Sequence, residues 1–272
     1  MGSSKKNILL TNDDGIRSPG LWAAAKALAS LGFVTVAAPV EQWSGAGRSM
    51  PPHTRGTIHE EQVEVDGQAW QVYAVAGTPA QAVEHAVWEV MPTRPDLVVA
   101  GINYGENIGS GVTISGTVGA ALEAASLGIP SLAISLEVDP RDHLSLADHV
   151  DFSAAAHFAA LFAQRLLDGL QATDLDVLKV EVPATATPAT PWQVCRVSRT
   201  RYYIPVVPAE PDSDKPRRLW YRAQLDPNLE PDSDVYVLRV LQQVAVTPLS
   251  LDLTSRLDLS QLTHTLQNEK HS

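Results

Sequence analysis

The feature that most constrains the fold is the alternation of short apolar runs with stretches of helical periodicity over the first two thirds of the chain. Apolar runs predict strands at residues 8–11, 33–38, 96–100, 129–136 and 177–182. Helical spacing predicts helices at residues 19–31, 78–90, 117–127 and 147–167. Strands separated by helices are joined by right-handed crossovers, which leave the strands parallel and the sheet covered on both faces. We therefore predict an α/β fold with a largely parallel sheet.

The sequence changes character from about residue 183, where prolines become frequent. Strand-like stretches follow at residues 192–198, 219–224 and 235–246, and a helical pattern closes the chain at residues 253–266. We divide the chain into a core, residues 5–183, and a C-terminal extension, residues 184–272, with a β-hairpin and a terminal helix. The extension either makes contacts between subunits or adds edge strands to the same domain, and the sequence favours neither interpretation.

Charge and cysteine content restrict the partners and the compartment. Twenty Lys and Arg residues against 31 Asp and Glu residues give a formal net charge of -11, which disfavours long nucleic acid and anionic membranes as partners. The sequence has no apolar run near the roughly 20 residues that a membrane-spanning helix needs. The one cysteine, Cys195, cannot form an intrachain disulfide or a thiolate zinc site. Since the sequence also shows no signal-peptide pattern, we expect a cytoplasmic protein.

Two adjacent carboxylates follow the first predicted strand. Asn12-Asp13-Asp14-Gly15 comes directly after the apolar run, and ligands of open parallel sheets gather at the carboxyl ends of strands. Two buried carboxylates are unfavourable unless a cation or hydrogen-bond donors compensate them. The alternative is that one carboxylate caps the next helix while the other is solvated, and spacing alone does not separate the two.

A loop after the second predicted strand carries Ser44 toward the same edge of the sheet. Residues 45–47 of this loop begin a GxGxxG pattern. Met50 occupies the third glycine position and no helix clearly follows, so the pattern fails the context that a dinucleotide-binding fingerprint requires.

The third segment at this edge combines an amide with a helix start. Asn103 follows the strand predicted at residues 96–100, and Ser115-Gly116-Thr117 opens the next helix. Free backbone N–H groups and the helix dipole make such an N-terminus an anion site, and Gly116 lets a phosphate come close. The alternative is ordinary Ser or Thr capping. Because carboxylates, an amide oxygen and a helix N-terminus converge at one edge, we favour the anion site.

The candidate metal ligands are hard oxygen donors, which suit Mg²⁺ or Mn²⁺ rather than zinc. They are Asp13, Asp14, Ser44 and Asn103. A cation beside a phosphate pocket indicates metal-assisted phosphoryl hydrolysis. Asp13, which is nearer the strand end, is the first candidate to position or deprotonate the attacking water. The sequence contains no HExxH, GxSxG or Walker motif, so a metal site of the HExxH type, a serine hydrolase and a P-loop protein are not indicated.

At these residues the sequence closely resembles the SurE family of survival-protein nucleotidases. The matching stretches are ILLTNDDG (8–15), AP (38–39) with SGA (44–46), GTP (77–79), PDLVVAGIN (95–103) and SGTVGAA (115–121). The order and content of these blocks are specific, and together they span about the first half of the chain. A weaker likeness continues through VTPL at residues 246–249.

The resemblance implies a Rossmann-like three-layer α/β/α fold and a divalent-metal phosphatase acting on nucleoside 5′- and 3′-monophosphates. It implies that some relatives also act on short polyphosphate or oligonucleotide ends. It implies one Mg²⁺ or Mn²⁺ per subunit and a homodimer or homotetramer assembled through the extension. The implied catalytic residues are Asp13 and Asp14, and the implied metal ligands are Asp13, Asp14, Ser44 and Asn103. The implied phosphate pocket consists of Asn103, Ser115, Gly116 and Thr117.

The chain departs from the family pattern at three places. Val40-Glu41 stands where the family usually has an acidic and then a basic residue, and residues 104–114 and the C-terminal tail match loosely.

Two alternative functions remain. A receiver-like signalling module also holds Mg²⁺ with an acidic pair. However, such a module needs an Asp at the end of its third strand, where this chain has Asn103. It also needs a Lys after its fifth strand, whereas the strand predicted at residues 129–136 ends without one. A nucleotide-binding protein without turnover is the second alternative, and sequence does not separate binding from hydrolysis.

Overall fold

The structure, a computed structural model, describes residues 5–143, 146–147, 149–170, 172–207 and 220–268. Its strands are β1 (Lys6–Thr11), β2 (Gly32–Pro39), β3 (Ile58–Val65), β4 (Gln68–Val75), β5 (Leu97–Tyr104), β6 (Ser131–Leu136), β7 (Val177–Val182), β8 (Trp192–Val194), β9 (Tyr203–Val206), β10 (Trp220–Ala223) and β11 (Val244–Leu249). Its helices are α1 (Pro19–Leu28), α2 (Pro79–His85), α3 (Gly116–Ser126), α4 (Ser153–Leu167), α5 (Asp234–Arg239) and α6 (Leu259–Asn268). A π-helical turn, Ala86–Val90, continues α2, and a 3-10 helix, Gly109–Ile114, precedes α3.

Most of the described strands lie in one sheet with the order β3-β4-β2-β1-β5-β6-β7-β11-β8. The strands from β4 to β7 in this order are parallel to their neighbours. Antiparallel pairing occurs toward the flanks, where β3 pairs with β4 and β11 pairs with β7. The predicted α/β fold with a mostly parallel sheet is therefore confirmed.

The alternation of side chains along β1 creates one apolar core on each face of the sheet. Ile8 and Leu10 pack into the core that also contains Leu21 of α1 and Phe158 of α4. Leu9 points to the opposite face and packs into the core formed with α2 and α3. The expected three-layer α/β/α arrangement is confirmed, with the sheet between these two helix layers.

One element of the sheet, the hairpin β3–β4, was not predicted. Strand β3 reads IHEEQVEV, and its charged side chains are typical of a solvent-facing edge rather than of an apolar run. The turn Asp66-Gly67 has positive φ at both residues, 50° and 77°, as the tight turns of two-residue hairpins require. The Asp-Gly pair was thus the sequence signal that could have located this hairpin.

The prediction of a single strand at residues 235–246 is wrong for its first half. This stretch is α5 followed by β11, and α5 is capped by the Ser233 hydroxyl, which accepts from the Tyr236 N–H at 3.3 Å. Short apolar runs do not separate strand from helix by periodicity alone. Helices α4 and α6 begin at Ser153 and Leu259, later than the predicted 147 and 253.

The C-terminal extension contributes to two sheets. Strands β9 and β10 form a separate antiparallel pair, so the extension does contain a hairpin, although residue 219 of the predicted strand lies outside the described residues. Strands β11 and β8 continue the main sheet beyond β7. Within the described ranges, no helix combines the length and the apolar character needed to cross a membrane.

Candidate active site

The sheet has a topological switch point between β1 and β5. Strand β1 pairs with β2 on one side and with β5 on the other. The chain builds the sheet to one side of β1 as far as β4 and then crosses to β5 on the other side, which opens a crevice at the carboxyl edge. The acidic segment after β1 and Asn103 near the end of β5 both reach this crevice. The N-terminus of α3 approaches it as well, through contacts with Asp13.

A tight turn fixes the acidic pair at the end of β1. The Asn12 side chain bridges the turn: its Oδ1 accepts from the Gly15 N–H at 3.2 Å, and its Nδ2 donates to the Gly15 carbonyl at 3.1 Å. Gly15 has φ +98°, a conformation that side chains disfavour. Asp13 and Asp14 therefore leave the strand with a defined direction, and both are buried, at 4% and 3% exposure.

Asp13 lies directly against the first turn of α3. Its carboxylate accepts a short hydrogen bond from the Thr117 hydroxyl. A Cβ on Gly116 would stand 2.7 Å from the Asp13 carboxylate, so only glycine allows this approach. Burial raises the pKa of Asp13, and the bond from Thr117 partly opposes that rise. The charged form of Asp13 is thus held in place but incompletely compensated.

The Asp14 carboxylate is held by two hydrogen-bond donors, neither of which belongs to α3. It accepts from the Gln42 side chain at 2.9 Å and from the Tyr104 N–H at 3.1 Å. Burial and then repulsion by Asp13 raise the pKa of Asp14 well above its usual range. Two neighbouring buried carboxylates of this kind are the environment that a divalent cation would compensate.

The donor set is compatible with a cation that prefers oxygen ligands. Among the residues that the structure describes, no group of three or more His, Cys, Asp and Glu side chains could hold a metal ion. A cation at the acidic pair would therefore have to complete its shell with neutral oxygens such as those of Ser44 and Asn103. Mg²⁺ binds through one or two carboxylates together with water and substrate oxygens, which matches this composition.

Asn103 is positioned by an irregularity in β5. The pairing of β5 with β6 shifts register between Ala100 and Asn103. The Asn103 Nδ2 donates to the Gly105 carbonyl at 2.7 Å. The amide nitrogen is therefore engaged by the chain itself. The amide oxygen Oδ1 is the group that Asn103 would offer to a cation.

Ser44 lies in a loop that is anchored next to the acidic pair. The Trp43 N–H donates to the Asp13 carbonyl at 2.7 Å, and the Gly47 N–H donates to the Ile114 carbonyl at 3.0 Å. Gly119 of α3 touches this loop so closely that a Cβ there would stand 2.2 Å from the Gly47 carbonyl oxygen. The Ser44 side chain itself is exposed, and it makes no hydrogen bond to any described residue.

The predicted phosphate residues at α3 contribute their backbone more than their side chains. The Ser115 hydroxyl accepts from the Val118 N–H at 3.1 Å and so caps the helix. The Thr117 hydroxyl is engaged by Asp13. The Gly116 and Thr117 N–H groups face the Asp13 carboxylate, so what this N-terminus offers an anion is mainly the positive end of the helix dipole. The capping alternative is thus correct for Ser115, and it is compatible with an anion site.

A buried charged cluster behind the site was not predicted. Lys179 Nζ lies 3.0 Å from Asp234 and 3.5 Å from Glu181, and all three side chains have 0% exposure. The cluster holds the segment after β5: Lys179 donates to the Asn107 carbonyl at 3.0 Å, and Glu181 accepts from the Asn107 N–H at 2.8 Å. Burial raises the pKa of Glu181 to about 7. The signal in the sequence was a Lys and a Glu inside the otherwise apolar β7.

A second buried group joins the same segment to the extension. Glu106 accepts from the Tyr203 hydroxyl at 2.8 Å, and burial raises the pKa of Glu106. His143 packs edge-on against the Tyr203 ring, with 6.2 Å between ring centroids, and close to Gly105. Burial lowers the pKa of His143. The segment that follows Asn103 is therefore fixed from several sides.

A cavity of about 420 Å³ lies at the carboxyl ends of β2 and β4, and Trp43 in its wall donates its N–H to the Asp13 carbonyl. Val40 and Glu41, the two residues that depart from the family pattern, belong to its wall. The complete lining is Val40, Glu41, Trp43, His53, Thr54, Arg55, His59, Val75, Ala76 and Gly77. No sequence signal pointed to this cavity, because its lining comes from three separate segments.

Together the fold and the site define an α/β protein with an acidic, oxygen-rich centre at the switch point of a doubly wound sheet. A family model described as survival protein SurE matches residues 8–204, and the chain belongs to this family. Relatives include the 5′-nucleotidase SurE of Thermococcus gammatolerans, 42% identical over 262 residues that cover 96% of each chain. The 5′-nucleotidase SurE of Thermococcus kodakarensis is 40% identical over 94% of this chain and 96% of its own length.

The structural comparison supports the same assignment. The crystal structure of the SurE protein from Aquifex aeolicus resembles this chain with a TM-score of 0.75 and 30% sequence identity. The match covers 96% of this chain and 99% of that one. The sequence resemblance to the SurE family is therefore confirmed over nearly the full length, including the extension.

Proposed function

We propose that this chain is a nucleotidase that hydrolyses the phosphomonoester of nucleoside 5′- and 3′-monophosphates with the help of one Mg²⁺ or Mn²⁺. The class of enzyme rests on the relatives, which carry the name 5′-nucleotidase SurE. One observation of the structure supports metal-assisted hydrolysis: the buried acidic pair, Asp13 and Asp14, lies at the switch point, where Asp13 contacts the N-terminus of α3.

The cation would be held by Asp13, Asp14, Ser44 and Asn103. When bound, it would lower the pKa of a coordinated water and neutralise charge on the phosphoryl oxygens. The protein supplies the positions of the reacting groups. Thr117 orients the Asp13 carboxylate, while Gln42 and the Tyr104 N–H orient Asp14.

The phosphate group would sit between Asn103 and the first turn of α3. The positive end of the helix dipole would attract its oxygens at the turn where the Gly116 and Thr117 N–H groups face Asp13. Gly116 leaves the space that a side chain would otherwise occupy. Asp13 would position or deprotonate the attacking water, because it is the carboxylate in contact with that helix turn.

Further properties belong to the same proposal. Activity on short polyphosphate or oligonucleotide ends is compatible with a site at the edge of the sheet, whereas the net charge of -11 disfavours long nucleic acid.

Assembly as a homodimer or homotetramer is supported by the exposed leucines of the extension, which are Leu253, Leu257, Leu259 and Leu266. A cytoplasmic location is supported by the single cysteine. Membership of the SurE family removes the receiver-like alternative.

Phosphate release tests the proposal. We expect release from 5′-AMP and 3′-AMP with Mg²⁺ or Mn²⁺, and loss of release in EDTA. Asp13→Asn and Asp14→Asn should each lower kcat by about 100-fold or more, the scale of losing an acid–base or charge-stabilising group. Asp66→Asn, an exposed carboxylate in the β3–β4 turn, serves as the matched control. Full activity in EDTA would contradict the mechanism, and nucleotide binding without turnover would favour the non-catalytic alternative.

A further inference from the structure

The acidic pair and the 420 Å³ cavity share one short segment, residues 41–43. The Gln42 side chain turns toward the acidic pair and donates to Asp14 at 2.9 Å. The side chains on either side of it, Glu41 and Trp43, line the cavity. The Trp43 N–H also donates to the Asp13 carbonyl at 2.7 Å. The cavity therefore adjoins the segment that contacts both carboxylate residues.

The cavity has the volume of a small-molecule site, and it is open to solvent, because Glu41, His53 and Arg55 in its wall are exposed. Its volume of about 420 Å³ lies within the range of about 300–1,000 Å³ that is usual for ligand pockets. Trp43 contributes an aromatic face, and Arg55, His53 and His59 contribute hydrogen-bond donors. Arg55 forms no ion pair with any residue in the described ranges, although the chain is acidic overall.

This combination matches a nucleoside better than simpler ligands. A bare anion would use Arg55 but not the indole of Trp43, and an apolar ligand would leave the arginine unused. A nucleobase has an aromatic face that stacks on indole and an edge with acceptors that guanidinium can reach. The ribose would span the distance between such a base and a phosphate at α3.

We propose that this cavity binds the nucleoside half of the substrate, with the base against Trp43 and its acceptor edge toward Arg55. The proposal rests on the nucleotidase function, because it assigns the leaving group of that reaction. It makes Trp43 and Arg55 determinants of substrate choice, distinct from the carboxylates at the reacting phosphate. Val40 and Glu41 would form the wall behind the sugar.

Comparison of 5′-AMP with ribose 5-phosphate, which lacks the base, tests the proposal with the cation present. Trp43→Leu should lower the ratio of kcat/KM for 5′-AMP to that for ribose 5-phosphate by about 5- to 100-fold, the scale of one base–aromatic stack. Arg55→Ala, on a separate segment of the cavity wall, should lower the same ratio by at least about threefold. Trp88→Leu, an exposed tryptophan outside the cavity, should leave the ratio unchanged.

The outcomes separate this proposal from the proposed function. An unchanged ratio in both variants, or an equal fall on both substrates, would overturn the assignment of the cavity. If the wild-type chain released phosphate from neither substrate, the nucleotidase function would fail. In that case calorimetric titration with adenosine tests nucleoside binding at the cavity independently of turnover. Binding that is weakened in both Trp43→Leu and Arg55→Ala supports it, and binding that is unaffected or absent refutes it.

Discussion

Lys179→Met is the substitution that most directly tests the buried charged cluster. All three donor positions of the ammonium group have partners: Asp234 at 3.0 Å, the Asn107 carbonyl at 3.0 Å and Glu181 at 3.5 Å. Methionine has a similar length but provides none of these contacts. The variant would therefore leave two buried carboxyl groups facing each other without a cation.

The expected loss follows from the burial of the partners. Removing one member of a buried ion pair costs about 3–5 kcal/mol, because the remaining charge is left uncompensated. Glu181, whose pKa is already raised to about 7, can take up a proton in the variant, which favours the lower part of that range. Asp234 keeps its bonds from the Gly109 and Ser198 N–H groups. We expect the free energy of unfolding to fall by about 3 kcal/mol at pH 7.

Urea unfolding followed by circular dichroism measures this loss, and Lys26→Met is the matched control. Lys26 pairs with Asp66 at the shorter distance of 2.7 Å, but both side chains are exposed, at 48% and 74%. Such a surface pair contributes at most about 1 kcal/mol. Equal losses in Lys179→Met and Lys26→Met would refute the reasoning, since burial would then make no difference. A Lys179→Met/Asp234→Asn double variant should lose less than the sum of the two single losses.

Further predictions concern pH and two glycines. Because the folded-state pKa of Glu181, about 7, exceeds its usual 4.5, its contribution to stability is complete below pH 4.5 and disappears as pH rises through 7. Thermal unfolding from pH 5 to 8 should therefore show Glu181→Gln gaining up to about 3 kcal/mol relative to wild type, and a constant difference would contradict this. Gly116→Ala should lower kcat at least about tenfold, since its Cβ would displace Asp13, whereas an unchanged kcat would exclude that contact. Gly119→Ala should push the loop at Gly47 away from α3 and lower the melting temperature, and an unchanged melting temperature would exclude this packing.

Much of the fold could be predicted because its signals are local. Apolar runs, helix-capping residues and glycine or proline stops lie within a few residues of the elements that they define. The hairpin β3–β4 was missed because a charged edge strand has no apolar run, although Asp66-Gly67 was visible. The prediction of a single strand at residues 235–246 is wrong for its first half because a short apolar run fits both a helix and a strand.

The sequence by itself determined that Asp13, Asp14 and Asn103 follow strands and that Ser115-Gly116-Thr117 opens a helix, because strand ends and helix starts are local features. Only the tertiary structure decided which neighbours these residues have. Thr117 reaches Asp13 across 104 positions of sequence.

The buried charged cluster and the cavity also depend on the tertiary structure alone. Lys179 meets Asp234 across 55 positions, and Trp43 shares the cavity with Arg55 and Val75. Burial of a charge and closure of a cavity depend on the packing of distant segments. Neither property can be read from the residues on either side along the chain.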